Sequence, residues 1–339
     1  MTIYNHLQAE ERAVILLELQ RGSSIRLIAK TLNRSPSSIS REISRNVQIS
    51  HHYDVVQATR RYKVVRKQSV RHKKLATDSK LYDYVKECLV KNRWSPEQIS
   101  GSLKKMNPQD PSKQVSSETI YAAIYAHPRN ELKKLMVSSL RRSKSKRGKR
   151  GSATTSYNSL KIEEYQFIHN RPEEINERLL PGHWEGDLIV GAMNQSCIGT
   201  LVERQTGFTI LCKTKSKSAL DVRKGFEKQM KKLPGFLRQS MTYDRGAEMS
   251  QHTHMSKNLE MKIYFADLNS PWQRGSNENT NGLLRQFFPK GTELSSHSQA
   301  DLNKVAFLLN TRPRKRFDYQ TPQELIGNVI VNYINGCCT

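Results

Sequence analysis

Cysteine is scarce: Cys88, Cys197, Cys212, Cys337 and Cys338 are the only five in 339 residues. They are odd in number and scattered, and no CxxC pair occurs. That argues against a disulfide framework and a zinc site, and fits a reducing cytosol. Long apolar runs are missing as well. The best, AVILL at 13–17, falls far short of the ~20 residues that span a bilayer. The N-terminus, MTIYNHLQAEER, lacks the basic-then-apolar pattern of a secretory signal, so neither membrane insertion nor secretion is expected. Acidic side chains are the third shortage: 31 Asp and Glu face 56 Lys and Arg, a net charge of +25. The hydrophobic fraction of 36% suffices for real cores but is low for one large compact enzyme, and the length suggests two domains.

The charge is concentrated. Residues 1–150 carry 32 basic and 12 acidic side chains, whereas 151–339 carry 24 and 19. A basic half joined to a nearly balanced half reads as a polyanion binder followed by a conventional domain. Mere solubility does not need the excess in one half. The stretch RRYKVVRKQSVRHKK (60–74) is basic and poor in periodicity. SLRRSKSKRGKRGSATTS (139–156) has no large apolar residue after Leu140 and reads as a solvated linker. The expected division is 1–50, a DNA-binding domain; 51–138, a basic helical region; 139–160, the linker; and 161–339, a catalytic domain.

Residues 7–45 have helical periodicity. Ala13, Leu16, Leu17 and Leu19 mark a first helix; Ile25, Ile28, Ala29 and Leu32 follow the apolar template of a second. After a turn at Asn33 and Arg34, Ser35 is a good N-cap and Pro36 suits the first helical position. The third helix turns Ile39 and Ile43 inward and shows Ser37, Ser38, Ser40, Arg41 and Arg45 on its other face. Short hydroxyls permit close approach to a DNA groove, and arginines reach phosphate or guanine. This resembles a DNA-binding helix-turn-helix. A second candidate lies at 94–126: Ser95 caps a helix with Ile99, Leu103 and Met106 on one face, and another helix starts at Ser116 or Ser117. Trp94 is expected in the core.

The C-terminal half reads as a three-stranded meander (GHWEGDLIVG, CIGTLVER, GFTILCKT), then helix, strand, helix, strand, helix. Leu220, Val222, Phe226 and Met230 give the first of these helices its apolar face. A carboxylate inside a buried strand is costly unless paired or metal-bound, and Asp187 precedes the apolar run LIV on the first strand. Asp244 ends the fourth strand, and Glu278 opens the last helix, stopped by Pro289 and Gly291. Two strand-borne aspartates and a helix-borne glutamate can converge on one edge of a mixed sheet. Such hard oxygen ligands suit Mg²⁺, with Mn²⁺ as substitute. Two ions about 3.5–4 Å apart can serve phosphoryl transfer.

With 33 residues between Asp244 and Glu278, the order resembles the DDE transposases and retroviral-type integrases, whose cores are ribonuclease-H-like. The match is closer still to the insertion-sequence-thirty family of bacterial transposases, through HWEGDLIVG, TYDRGAEM, SPWQRGSNENTNGLLRQFFPKGT and LNTRPRKRFDYQTPQE. The resemblance covers roughly 5–45 and 90–327. It implies a multi-domain protein: an all-α helix-turn-helix region and an α/β ribonuclease-H-like core with a mixed five-stranded sheet. It implies Asp187, Asp244 and Glu278 as a catalytic triad holding two Mg²⁺ ions, with Asn281, Arg285 and Lys290 as a supporting, DNA-contacting set. The activity implied is metal-dependent cleavage and strand transfer on double-stranded DNA. The partners would be terminal inverted repeats, target DNA and further copies of the chain in a synaptic complex, in the bacterial cytoplasm and on the nucleoid when bound. Related cores commonly have Asn after the second Asp; here Arg245 stands there. The rival readings are a helix-turn-helix transcriptional repressor without catalysis and a ribonuclease-H-like nuclease.

Weaker expectations attach to neighbours. Glu185 shares a strand face with Asp187 and reads as structural. Glu248 is an alternative ligand, His183 a packing or hydrogen-bonding residue, and His252 with His254 a loop pair unsuited to zinc. Trp272 is expected to pack. In RPRKRF (312–317) four of six residues are basic, which favours a DNA contact.

Overall fold

The computed structural model describes residues 5–47, 52–69, 74–77, 79–140, 166–268 and 270–337. The chain divides into two compact units, Met1–Lys73 and Lys74–Thr339.

The first unit holds α1 (Ala9–Gln20), α2 (Ile25–Thr31), α3 (Pro36–Val47) and α4 (Val55–Gln68). Ser24 caps α2 by accepting the Leu27 N–H, and the Ser35 hydroxyl accepts the Ser38 N–H at 3.2 Å to start α3. Ile15, Ile28, Ala29 and Ile39 form the centre, joined by Tyr53 and Ala58. The first helix is rotated from its expected setting: Ile15 is buried and Leu17 exposed, because five consecutive apolar residues do not say which of them faces in. Arg12 is buried too, donating to Glu42 at 2.6 Å. Of the basic segment read as aperiodic, residues 60–68 are helix. Asp54 caps α4 through the Val56 and Gln57 N–H groups, and Ala58 supplies its anchor in the core.

The second unit begins with four helices: α5 (Lys80–Val90), α6 (Pro96–Met106), α7 (Ser117–Ala126) and α8 (Glu131–Ser139). Ser95 forms a capping box with Gln98, and Ser116 caps α7. Ile99 and Leu103 enter a core with Leu89, Ile120 and Ile124, with Trp94 against its edge. Met106, expected on that face, is exposed. Division by compactness departs from the expected boundaries: α4 belongs with 1–50, and α5–α8 with the sheet. Lys315 donates to Glu97 at 2.6 Å and Lys105 pairs with Asp318 at 3.5 Å. The Tyr319 ring fills the place of a side chain at Gly101, where a Cβ would lie 2.2 Å from it. Of the expected linker, 141–160 lie outside the described residues.

After the one-turn α9 (Glu173–Asn176) come β1 (His183–Val190), β2 (Cys197–Glu203), β3 (Thr209–Lys213), α10 (Ala219–Met230), β4 (Ser240–Tyr243), α11 (His252–Leu259), β5 (Lys262–Phe265), α12 (Gly275–Leu284), α13 (Gln299–Asn310) and α14 (Pro322–Cys337). The strands lie in the order β3-β2-β1-β4-β5. β1–β2 and β2–β3 are antiparallel, while β1–β4 and β4–β5 are parallel. One sheet face packs Trp184, Leu201, Met241 and Tyr243 against Val222, Phe226 and Met230 of α10 and Met255 and Leu259 of α11. The other packs Ile189, Ile198 and Leu211 against Leu283 and Leu284 of α12 and Leu302 and Leu309 of α13. This is the expected mixed five-stranded sheet between helical layers, a ribonuclease-H-like arrangement that follows an all-α helix-turn-helix region in the sequence. Close ring approach explains two strand glycines: a Cβ at Gly186 would lie 2.7 Å from the Tyr243 ring, and one at Gly199 2.2 Å from Phe226. Leu220, expected on the apolar face of α10, is exposed. Cys88, Cys197 and Cys212 are buried and free. No helix among the described residues is long and apolar enough to cross a membrane.

Candidate active site

Strand alternation and register build the site. On β1, Trp184 faces the α10 layer, so Glu185, Asp187 and Ile189 face the α12 layer. β1 and β4 run parallel with Glu185 beside Thr242. Two residues further along the chain from each, Asp187 on β1 and Asp244 just past the end of β4 come together, both meeting Arg274. The Asp187 side chain is 29% exposed and that of Asp244 23%. Asp187 Oδ1 accepts its neighbour Leu188's N–H at 2.9 Å, and Oδ2 accepts from Asn281 Nδ2 at 2.8 Å. Asp244 Oδ1 accepts the Gly246 N–H at 3.2 Å.

Between the two carboxylates lies a residue the sequence reading passed over. Arg274 reaches Asp244 Oδ2 with Nη2 at 3.1 Å and Asp187 Oδ1 with Nη1 at 3.5 Å. Nη1 also donates to the Gly186 carbonyl at 3.2 Å. Burial raises the Asp187 carboxyl, Arg274 pulls it back and Asp244 pushes it up further. Burial alone would lower the Arg274 guanidinium, yet Asp187 and Asp244 more than offset this and hold it above its ordinary value.

Glu278 does not touch either aspartate. It is exposed in the first turn of α12, and among the described residues no three His, Cys, Asp or Glu side chains form a group able to hold a metal ion. Its position along the helix still relates it to the pair. Arg274, Glu278, Asn281 and Arg285 recur at helical spacing. Arg274 and Asn281 both contact Asp187, so Glu278 emerges between two residues that overlie it.

Asn281 therefore faces Asp187. Arg285 is half-buried and donates to the Val190 carbonyl through Nη1 and Nη2, both at 3.3 Å; burial lowers its pKa. Lys290 is exposed. In the first unit Ser37, Ser40, Arg41 and Arg45 are exposed on α3, whereas Ser38 is half-buried and shares a hydrogen bond with Ser35 at 2.9 Å.

A second missed residue, Asn277, is fully buried and fixes α12 to the sheet. Its Nδ2 donates to the Glu185 and Thr200 carbonyls at 2.8 and 3.2 Å, and its Oδ1 accepts from Thr200 Oγ1 at 2.9 Å. Its N–H donates to Glu185 Oε2 at 2.9 Å. Glu185 is buried and ion-paired with Arg204. An asparagine beside Glu278 was the available signal, but only the β1–β2 pairing gives it partners.

Among the neighbours, Arg245 points away from the pair. It donates to the Ala266 carbonyl and to Asp267 Oδ1, both at 3.1 Å, and lies over the Phe167 ring. Glu248 is half-buried; burial raises its carboxyl, and Asp244 and Asp187 add to the rise. His183 bonds Ser240 Oγ at 2.7 Å, and burial, aided by Arg204 and Arg171, lowers it to about 4. His252 Nδ1 lies 2.9 Å from the Met249 carbonyl. One expectation fails: Trp272 is 72% exposed, because the turn Pro271–Arg274 lies on the surface. Within RPRKRF, Arg312 is buried and donates to Gln286 Oε1 at 3.1 Å, whereas Lys315, which donates to Glu97, and Arg316 are exposed.

A model of a helix-turn-helix domain matches residues 4–46. The chain is 43% identical over 335 residues to the transposase for insertion sequence element IS1086 of Cupriavidus metallidurans, covering 98% of this chain and 97% of that protein. It is 42% identical over 324 residues to transposase InsI for insertion sequence element IS30A of Escherichia coli, covering 95% and 83%. To the transposase for insertion sequence element IS4351 of Bacteroides fragilis it is 33% identical over 327 residues, covering 96% of each.

Proposed function

Since the chain belongs to the insertion-sequence transposases, we propose that it cleaves and transfers DNA strands with a DDE site of Asp187, Asp244 and Glu278. The observation that carries this reading is the parallel β1–β4 register that sets Asp187 beside Asp244 under the stripe Arg274–Glu278–Asn281. The donor set fits a hard divalent cation of the Mg²⁺ or Mn²⁺ kind: two carboxylates already share one positive group, and among the described residues the buried Oδ1 of Asn281 beside them has no hydrogen-bond partner. Asp187 and Asp244 would hold the cation, with Glu278 as the third carboxylate. When bound, such ions neutralise charge on the scissile phosphate and activate the attacking oxygen.

The chain's own residues do the rest. Asn281 fixes the orientation of Asp187, and Arg285 braces the end of β1. Lys290, exposed beyond α12, meets backbone phosphate. Water and then a DNA 3′-hydroxyl serve as nucleophiles, so no side chain need attack. The exposed hydroxyls and arginines of α3 read the terminal inverted repeats. Holding two element ends at once calls for a homo-oligomer. The cytoplasm, where the chromosome is accessible, is the compartment for this work.

Supercoiled plasmid carrying the inverted repeats tests the reading. With Mg²⁺ or Mn²⁺ the protein should nick and join strands, and with EDTA it should only bind. Binding without any strand breakage in metal would favour a repressor. For the recognition helix, Arg41→Ala should weaken inverted-repeat binding about 10-fold or more, in line with the ~1–3 kcal/mol of a base-reading arginine. An unchanged affinity in fluorescence anisotropy would remove α3 from the scheme.

A further inference from the structure

The space between Asp187 and Asp244 already holds a cation, and it belongs to the protein. Arg274 bridges both carboxylates at 3.5 and 3.1 Å, its side chain only 13% exposed. The oxygens it uses, Asp187 Oδ1 and Asp244 Oδ2, are ones a divalent ion between the aspartates would need. Two positive charges cannot share so small a space without strong repulsion in a partly dry environment.

The arginine is not locked by full hydrogen bonding. Its Nε is buried without a hydrogen-bond partner among the described residues; the two carboxylates, the Gly186 carbonyl and the Tyr243 ring are what hold it. Arg274 is the last residue before α12, in a non-helical conformation, and no atom lies within 4 Å of where a Cβ at the neighbouring Gly275 would be. Glu278, one helical turn away on the same stripe, is exposed. With Arg274 in place the pair already has its counter-charge, and a third carboxylate gains little by turning in.

We propose that Arg274 is a built-in counter-ion that closes the aspartate pair in the DNA-free protein and must withdraw before a divalent cation binds and Glu278 joins the site. This rests on the reading of Asp187 and Asp244 as metal ligands. It makes the resting chain a poor metal binder by design of its charges and couples metal loading to whatever draws Arg274 away. An incoming DNA phosphate has the right chemistry to do so, since a guanidinium pairs with phosphate as readily as with carboxylate.

Mn²⁺ binding to the full chain without DNA, followed by the electron paramagnetic resonance of free Mn²⁺, tests the proposal apart from activity. Arg274→Gln removes the charge and should tighten Mn²⁺ binding ~10-fold or more. Arg274→Lys keeps the charge but lacks the planar fork that fits both carboxylates at once, so it holds them less firmly and should tighten binding only about 3-fold. An affinity series of Gln above Lys above Arg supports the counter-ion; equal affinities overturn it. If the Gln variant does not fold, the Lys-to-Arg comparison decides alone. Adding Asp187→Asn to whichever variant folds should abolish the gained binding. Binding that persists in that double variant would instead sink the aspartate pair as the metal site, whatever Arg274 does.

Discussion

Asp187→Asn is expected to remove strand cleavage by more than ~10³-fold, about 4 kcal/mol of barrier, while inverted-repeat binding stays within about 3-fold. Asparagine keeps the size of the side chain and one oxygen, so packing under α12 is preserved. What goes is the negative charge that faces Arg274 and, on the proposed reading, a divalent ion. The same substitution should leave the fold intact or stabilise it. Burial raises the Asp187 carboxyl, so its ionised form is disfavoured in the folded chain compared with water. The loss of Arg274's partner works against that gain. A melting temperature within a few degrees of wild type, beside lost cleavage and intact binding, would separate chemistry from folding. Two outcomes would count against the scheme. Retained cleavage removes Asp187 from the chemistry, and joint loss of cleavage and binding denies the division of labour between the first unit and the second.

How much of this was legible in the sequence follows from what each signal measures. Alternation and turn chemistry name strands well, and all five lie close to where apolar β-branched runs place them. Capping serines did the same for α3, α6 and α7, since one hydroxyl and one N–H three residues on decide a helix start. The family resemblance rested on four motifs in order and is borne out by relatives of 33–43% identity along nearly the whole chain. Periodicity was weaker where apolar residues were crowded or few. AVILL left the rotation of α1 open, which is why Ile15 rather than Leu17 is inside. The basic run at 60–74 hid α4, whose hold on the core includes Ala58. Trp272 was misjudged because hydrophobicity alone does not distinguish a surface turn from an interior one. Arg274 and Asn277 were missed for a different reason. Their partners, Asp187, Asp244, Glu185 and Thr200, lie far away in sequence and meet them only once the β1–β2 and β1–β4 registers are fixed. A motif reading that asks for carboxylates does not look for the arginine between them.

The second large effect belongs to the residue two positions before Asp187. Glu185→Ala should destabilise the second unit by about 3–5 kcal/mol, the range for breaking one side of a buried ion pair. Arg204 would lose its carboxylate partner while remaining buried, keeping hydrogen bonds to the Ile175 and Asn176 carbonyls at 3.2 and 3.3 Å. The N-terminus of α12 would lose something as well. No side chain caps that helix locally; instead Glu185 Oε2 accepts the Asn277 N–H from across the sheet, an anion at the positive end of the helix dipole. Because α12 carries Glu278 and Asn281 and follows directly on Arg274, loosening its first turn should also lower cleavage in whatever folded protein remains. Urea unfolding of the full chain, read through Trp184 in the adjacent strand position, measures the stability term. Replacing Arg204 by Met in the Glu185→Ala background should recover part of the loss, since the orphaned charge is then gone. A single variant less than about 1 kcal/mol below wild type, near the level of a surface pair, would mean that Glu185 is a bystander. A double variant no better than the single one would locate its contribution in the helix cap instead.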